Sequence, residues 1–251
     1  MNHPSLYLSL CTDFFDLDKP IAHIEEYNFY RNYVAQASGP ILEPMCGTGR
    51  YLIPLLEEGY SVDGFDASPF MLTALKTKCA QKNLTPHVWE QFLEDTQVTQ
   101  LYNLIFIPDS SFCLFLATEK IMLCLKKIYS LLQTGGTFVF DLETIYSTPA
   151  YVGIWQGKVY TKENGQHLML STLPLPPTNN TATVICRYEL IDATNIIKTE
   201  IEYFQIKLYE PNEMDALLKT VGFKNIRRIK TYYPELEPSP RDHTIAYECT
   251  K

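Results

Sequence analysis

The sequence predicts an α/β fold: a doubly wound, mostly parallel seven-stranded sheet with an antiparallel β insert. Strand-length apolar segments alternate with amphipathic helical segments through the first 145 residues. Such alternation is typical of a parallel sheet that helices cover on both faces. Four strand patterns then follow one another without helices between them, which predicts antiparallel neighbours. A final helix and two strands are expected to complete the sheet.

The first half of the chain contains five predicted strands and four predicted helices. Apolar residues from Ile21 onward recur every three or four positions, which predicts a helix that ends at Gly39-Pro40. The pair Gly135-Gly136 is expected to end the last of these helices. In order, the predicted elements are a helix from 21, a strand at 41–42, a helix at 51–58, a strand at 61–66, a helix from 69, strands at 87–91 and 103–107, a helix at 118–132 and a strand at 137–141.

The pattern changes after about residue 145. Strand patterns at 158–161, 167–171, 183–190 and 196–209 are separated only by turn-forming segments. Pro211 then begins a predicted helix, Gly222 ends it, and short strands are predicted at 224–229 and 244–249. We therefore divide the chain into an α/β core with its N-terminal helix (1–145), an antiparallel β cap or insert (146–209), and a C-terminal helix and strands that complete the core (210–251).

Composition and charge exclude several classes of protein. With 46% hydrophobic and 20% charged residues and no long uncharged apolar run, the chain is expected to fold in water without a membrane partner. The net charge of −8 disfavours nucleic acid as a partner, because phosphate backbones are bound mainly by Lys and Arg. Seven scattered cysteines and the lack of a signal-peptide pattern predict reduced core thiols and a cytoplasmic location. Five histidines without ligand spacing predict no metal site.

The segment that carries chemistry lies between the first strand and the next helix. Its residues are Glu43-Pro44-Met45-Cys46-Gly47-Thr48-Gly49, and its glycines leave the backbone open to a ligand beside the positive end of a helix. Asp66 ends the second strand, where a carboxylate can accept hydrogen bonds from both hydroxyls of a ribose. The third glycine of the dinucleotide fingerprint is replaced by Leu52, which disfavours NAD and FAD. These residues predict a site for a different nucleoside cofactor.

In combination, four segments resemble the class I S-adenosylmethionine (SAM)-dependent methyltransferases. They are ILEPMCGTGR at 41–50, VDGFDASPFML at 62–72, YNLIFIP at 102–108 and LLQTGGTFVF at 131–140. The resemblance covers roughly residues 20–145 and, more loosely, 205–251. It implies a Rossmann-like methyltransferase fold, SAM as the cofactor and methyl transfer as the reaction.

The resemblance also assigns roles to single positions. Glu43 and the backbone of the glycine loop would hold the methionine end of SAM, Asp66 would hold the ribose, and Pro108 would lie near the transferable methyl group. Phe92 departs from the family pattern, which has an acidic residue at that position. The predicted cofactor residues are Glu43, Met45, Cys46, Gly47, Gly49, Asp66, Ala67, Met71, Phe92, Leu93 and Pro108.

The insert is similar to the β-rich caps of small-molecule methyltransferases, such as the glycine and aminosugar N-methyltransferases. This similarity implies a small polar or amine substrate. The segment after the fourth strand, IPDSSF at 107–112, lacks the Asn/Asp-Pro-Pro-aromatic motif of base-modifying enzymes, which again disfavours nucleic acid. The candidate substrate residues are Asp109, which could attract a cation, Tyr30, on a helix face that is either a lid or core, and Arg187, in the insert. We assign no catalytic base.

Two alternatives stay open. An NAD-dependent oxidoreductase shares the fold and the ribose carboxylate, and a non-catalytic SAM-binding module shares the whole motif. The sequence also leaves open whether the acceptor atom is N, O or C. A homodimer is compatible with the sequence, and the insert could serve as a lid or as a dimer interface.

Overall fold

A seven-stranded sheet organises the protein, whose computed structural model describes residues 7–210 and 212–251. Pro211, the predicted start of the last helix, lies outside the described residues. The helices are α1 (Ser9–Asp18), α2 (Ile24–Gln36), α3 (Leu52–Glu57), α4 (Pro69–Gln81), α5 (Thr118–Leu131) and α6 (Glu213–Val221). The strands are β1 (Ile41–Pro44), β2 (Asp63–Asp66), β3 (His87–Glu90), β4 (Tyr102–Ile107), β5 (Leu132–Glu143), β6 (Gln156–Thr161), β7 (His167–Pro174), β8 (Thr181–Asp192), β9 (Asn195–Lys207), β10 (Lys224–Lys230) and β11 (Thr244–Thr250).

The central sheet has the strand order β10-β11-β5-β4-β1-β2-β3. Strands β1 to β5 pair in parallel, whereas β11 is antiparallel to both β5 and β10. The chain runs from β1 outward to β3 and then crosses to the other side of β1 with β4. The switch point of the sheet therefore lies between β1 and β4, and ligands of such sheets bind at the carboxyl ends of the strands there. The fold class predicted from the sequence is confirmed.

The core consists of two apolar layers, one on each face of this sheet. Because strand side chains alternate between faces, Leu104 and Phe106 of β4 join one layer while Ile105 and Ile107 join the other. Helices α2, α3 and α4 cover the first face, and α5 and α6 cover the second. This double coverage explains why β4 reads as an almost continuous apolar run.

The insert is a separate four-stranded antiparallel sheet of order β6-β7-β8-β9. Helix α1 packs on one face of it, where Phe14 makes edge-to-face contacts with the rings of Tyr160 and Tyr188. Asp18, the last residue of α1, accepts a hydrogen bond from the hydroxyl of Tyr160. The sequence pattern does not predict α1, the helix that packs on the insert.

The first turn of α1 is capped by two glutamates of β9 rather than by its own residues. Leu8, at the N-cap, has no capping side chain, and its N–H donates to Glu202 Oε1 at 2.8 Å. The N–H of Tyr7 donates to Glu202 Oε2 at 3.1 Å, and that of Leu10 donates to Glu200 Oε2 at 2.7 Å. Helix N-termini leave several N–H groups without an intrahelical acceptor, and here the insert supplies the acceptors.

Two expectations about element boundaries are wrong. The sequence predicts that Gly135-Gly136 ends a helix, but α5 ends at Leu131 and β5 begins at the next residue, so both glycines lie inside β5. A Cβ at Gly136 would lie 3.0 Å from the Tyr102 carbonyl oxygen, so glycine allows β4 to approach closely. The sequence also predicts a helix that begins at Ile21, but α2 begins at Ile24 and Ile21 is 75% exposed.

Replacing Glu202 by alanine (Glu202→Ala) removes the acceptor of the N–H groups of Tyr7 and Leu8. We expect the free energy of unfolding to fall by about 1–3 kcal/mol, the usual cost of partners left unsatisfied. We also expect faster amide hydrogen exchange across residues 7–18. Urea denaturation and exchange mass spectrometry measure the two effects. Glu163→Ala, in the exposed turn between β6 and β7, is the matched control, and equal behaviour of the two variants would contradict the prediction.

Candidate active site

A cavity of about 460 Å³ lies at the carboxyl ends of β1, β2 and β4, at the switch point of the sheet. The glycine loop after β1, the segment after β2 and the segment after β3 form three of its walls. Pro108 and Asp109, after β4, form a fourth. Tyr7, Leu8 and Phe15 close it from the side of α1. The cavity therefore lies between the α/β core and α1, the helix that packs on the insert.

The two glycines of the loop, Gly47 and Gly49, have different structural roles. Both have positive φ, +53° at Gly47 and +83° at Gly49. A Cβ on Gly49 would lie 2.8 Å from Ile53 Cγ1 and 2.9 Å from Leu75 Cγ, so Gly49 permits the loop to pack on α3 and α4. A Cβ on Gly47 would meet nothing within 4 Å. Gly47 lines the cavity, so its bare backbone is available to a ligand.

Asp66 connects the end of β2 to the glycine loop. Its Oδ2 accepts the N–H of Gly47 at 2.8 Å, and its Oδ1 accepts the N–H of Ser68 at 2.8 Å. Burial raises the pKa of the Asp66 carboxyl, although the N–H groups of Ser68 and Gly47 favour its ionised form. Each carboxylate oxygen can accept a further hydrogen bond, so Asp66 can hold the loop and a ligand together.

Glu43 presents a buried carboxylate to the same cavity. The residue is 1% exposed, and its Oε2 accepts no hydrogen bond from the residues that the structure describes. Burial raises the pKa of Glu43 well above its ordinary value, and the nearby charge of Arg50 opposes this effect. A buried carboxylate oxygen without a donor is costly, so the site favours a ligand that brings an N–H group or a positive charge.

Arg50 and Asp109 form an ion pair in the cavity wall. Arg50 Nη2 lies 2.7 Å from Asp109 Oδ2. The guanidinium lies 5.4 Å from the ring centre of Phe15 and 5.2 Å from that of Tyr51. The Tyr51 hydroxyl in turn donates to the buried carboxylate of Glu26. Asp109 is thus held in place by a cation that two rings shield from water.

The wall after β3 is formed by Gln91, Phe92, Leu93 and Glu94, together with Lys120 of α5. The N–H of Gln91 donates to the Asp66 carbonyl at 3.0 Å, which extends the pairing of β2 and β3 into the cavity. Leu93 and Glu94 are buried in a short 3₁₀ helix, and Lys120 of α5 lies 2.6 Å from Glu94 Oε1. Gln91 and Lys120 were not predicted from the sequence.

The structure brings most of the predicted site residues together. All of the predicted cofactor residues except Gly49 line the cavity: Glu43, Met45, Cys46, Gly47, Asp66, Ala67, Met71, Phe92, Leu93 and Pro108. Asp109 also lines it. Tyr30 does not, because it is fully buried in the core and donates to Asp141. Arg187 lies on the exposed face of the insert sheet, where it pairs with Glu189 at 2.6 Å.

Five residues of the cavity wall were not among the site residues predicted from the sequence: Tyr7, Leu8, Phe15, Arg50 and Tyr51. Arg50 and Tyr51 directly follow the glycine loop, so their place next to the motif is a signal that could have found them. Tyr7, Leu8 and Phe15 reach the cavity because α1 packs against the insert, and no local pattern reveals that contact.

Comparisons with known proteins agree with this geometry. Residues 41–136 match the family model described as a methyltransferase domain. This segment, which is less than half of the chain, resembles a methyltransferase domain. It contains the glycine loop, Asp66 and the segments after β3 and β4, which are the parts of the chain that line most of the cavity. The resemblance to class I methyltransferases is therefore confirmed.

Relatives of the methyltransferase domain have low sequence identity but a similar fold. A candidate methyltransferase of Geobacillus sp. (strain WCH70) is 25% identical over 134 residues, which cover 53% of this chain and 53% of that protein. The match thus spans about half the length of that relative. A SAM-dependent methyltransferase from Clostridium acetobutylicum ATCC 824 is 16% identical, with a TM-score of 0.75 over 95% of this chain and 96% of that one. The sugar N-methyltransferase KedS8 from Streptoalloteichus sp. ATCC 53650 is 18% identical, with a TM-score of 0.76 over 100% and 98%.

Within residues 7–210 and 212–251, no three His, Cys, Asp or Glu side chains are grouped so that they could hold a metal ion. The helices in this part of the chain are each too short or too polar to span a bilayer.

Gly47→Ala and Gly49→Ala test the division of work within the loop. At Gly49 the added methyl group clashes with Ile53 and Leu75, so we expect stability to fall by about 1–3 kcal/mol, as in overpacked cores. At Gly47 the methyl group enters the cavity, so we expect a loss of at most about 1–2 kcal/mol from the positive φ. Thermal unfolding measures both variants. A larger stability loss for Gly47→Ala than for Gly49→Ala would contradict the assignment.

Proposed function

We propose that the chain is a SAM-dependent methyltransferase that methylates an amine of a small molecule. The observation that carries the proposal is the cradle formed by Glu43, Gly47 and Asp66 at the switch point of the sheet. Glu43 offers a buried acceptor for the ammonium group of a methionine end, Gly47 offers open backbone, and Asp66 offers acceptor positions for ribose hydroxyls. The methyltransferase domain and the SAM-dependent enzyme from Clostridium acetobutylicum support the same cofactor.

The chain contributes mainly position to such a reaction. When bound, SAM supplies a methyl group on a positively charged sulfur, which is already a good leaving group. Alignment of the acceptor with that methyl group is worth up to about 7–11 kcal/mol in favourable cases. Asp109 would accept an N–H of the neutral acceptor amine and direct its lone pair toward the methyl group, and the proton left on the methylated nitrogen would pass to solvent on release. Arg50 keeps Asp109 in place, and Phe15 excludes water.

Charge favours an amine as the acceptor. Asp109 lines the cavity and its side chain is 35% exposed, so its carboxylate can accept an N–H group from a ligand while it pairs with Arg50. The sugar N-methyltransferase KedS8, whose fold is similar, acts on a nitrogen according to its name.

The other readings find less support. In an NAD-dependent oxidoreductase a third glycine allows the helix to approach the strand, but here Leu52 is fully buried at that position. The close approach depends instead on Gly64 of β2, where a Cβ would lie 2.7 Å from Leu52 Cδ1. A non-catalytic module would not need the Arg50–Asp109 pair in the cavity. The seven cysteines are free and buried, which supports a reducing, cytoplasmic location.

Calorimetric titration with SAM, S-adenosylhomocysteine and NAD tests the cofactor. We expect SAM and S-adenosylhomocysteine to bind and NAD to fail. Glu43→Gln should weaken the binding of both SAM and S-adenosylhomocysteine by about tenfold, equivalent to about 1.4 kcal/mol, because it removes the charge that faces the ammonium group. Glu163→Gln, a charge change at an exposed turn, should leave the affinity unchanged. No binding of SAM to the wild-type chain would overturn the methyltransferase proposal.

Formation of S-adenosylhomocysteine with a panel of acceptors tests the substrate class. The panel contains amino sugars and small amines, each matched with the corresponding hydroxyl compound. We expect turnover with amines, and we expect Asp109→Asn to raise the KM for the amine by about tenfold while the affinity for SAM stays within about twofold. Turnover with the hydroxyl compounds and none with the amines would overturn the amine assignment but keep the cofactor.

A further inference from the structure

Asp141 is a buried carboxylate that hydrogen-bonds to Ser110, the residue after Asp109 of the cavity wall. It lies near the end of β5, is 1% exposed, and is outside the set of residues that line the cavity. Its Oδ2 accepts two hydrogen bonds from Ser110, one from the N–H at 2.7 Å and one from the hydroxyl at 2.8 Å. Its Oδ1 accepts the hydroxyl of Tyr30 from α2. The Asp141 carboxylate thus accepts three hydrogen bonds.

The two hydrogen bonds from Ser110 hold an unusual backbone in place. Asp109 has φ +57° and Ser110 has φ +53°, so two consecutive residues with side chains occupy the left-handed region. This region is unfavourable for such residues, and they remain there only when the surroundings impose it. We call residues 108–111 the corner after β4. The corner turns Asp109 toward Arg50 at 2.7 Å and into the cavity.

We propose that Asp141 is a positioning residue, which fixes the corner after β4 through Ser110 so that Asp109 faces the methyl acceptor. This inference rests on the proposed function, in which Asp109 binds the acceptor amine. Asp141 itself touches neither cofactor nor acceptor. Its role is to hold the strained backbone that presents Asp109.

The number of donors around Asp141 makes its charge state important. An ionised carboxylate accepts three hydrogen bonds without difficulty, whereas a protonated one must donate from one of its oxygens. Burial raises the pKa of Asp141 to about 7, against the hydrogen bonds of Tyr30 and Ser110, which favour ionisation. The groups that face it are Tyr30 and Glu26 from α2, Asp109 and Ser110 from the corner, Cys113 from the short helix that follows the corner, and Tyr232 from the segment between β10 and β11.

The positioning role and folding stability should respond to pH in opposite directions. Below about pH 7 Asp141 takes up a proton, the corner loses an acceptor, and turnover should fall. Stability behaves otherwise, because the pKa in the folded state lies above its ordinary value of 3.8. The native state binds the proton more tightly, so the contribution of this group to stability declines as pH rises from about 4 through about 7.

Asp141→Asn tests the proposal in the full-length chain. With the amine found in the acceptor panel, we expect kcat/KM to fall by about tenfold to a hundredfold, as for lost hydrogen bonds to a charged group, and the fall in kcat/KM below about pH 7 to disappear. The affinity for SAM should stay within about twofold. The melting temperature at pH 8 should equal or exceed that of the wild type, because the variant buries no charge. Amide exchange over residues 108–112 should become faster, a readout that needs no acceptor.

Two further variants keep the test decisive. Ser110→Ala removes one of the two hydrogen bonds, so we expect a smaller loss of kcat/KM with the pH dependence retained. Ser130→Ala, on the exposed side of α5, should match the wild type in every measurement. If Asp141→Asn keeps the wild-type pH profile and wild-type exchange in the corner, the positioning role is wrong. If it loses stability and SAM affinity together, Asp141 is merely structural and the role is also wrong. Failure of the wild-type chain to bind SAM would instead contradict the proposed function.

Discussion

Backbone N–H groups held by carboxylates set the shape of the cavity, and the other features of the site depend on this. Asp66 of β2 holds the glycine loop, Asp141 of β5 holds the corner after β4, and Glu202 of β9 holds the start of α1. Each carboxylate comes from a different strand and satisfies N–H groups at a turn or helix start, where no regular partner exists. The walls of the cavity are therefore fixed to the two sheets.

This arrangement uses charged groups in places that disfavour charge. Burial raises the pKa of Glu43, Asp66, Asp141 and Glu202, which means that the folded protein pays for keeping them ionised. Perturbed acids of this kind cluster at functional sites, and here three of them hold backbone while Glu43 keeps an oxygen free for a ligand. Amides at these four positions would avoid the cost of burying a charge. They would also weaken the hydrogen bonds that hold the backbone, or remove the charge that Glu43 offers to a ligand.

The sequence predicts the parts of the site that are local in the chain. Glu43, Gly47 and Asp66 directly follow or end buried strands, so their meeting at one sheet edge could be derived from topology alone. The role of α1 could not, because its capping partners lie almost 200 residues away on β9. Arg187 shows the related difficulty in the insert: an antiparallel sheet exposes alternate residues, and the pattern does not reveal which face a helix will cover. Tyr30 shows that an aromatic helix face next to a site can belong to the core.

Cys46 shows how burial can also protect the cofactor. Cys46 lines the cavity, and burial raises the pKa of its thiol well above the ordinary value, with the carboxylates of Glu43 and Asp66 adding to the effect. Sulfur attacks electrophiles as the thiolate, so the protonated form is a poor nucleophile. With SAM bound as proposed, the same acids that hold the ligand would keep this nearby sulfur from taking the methyl group intended for the acceptor.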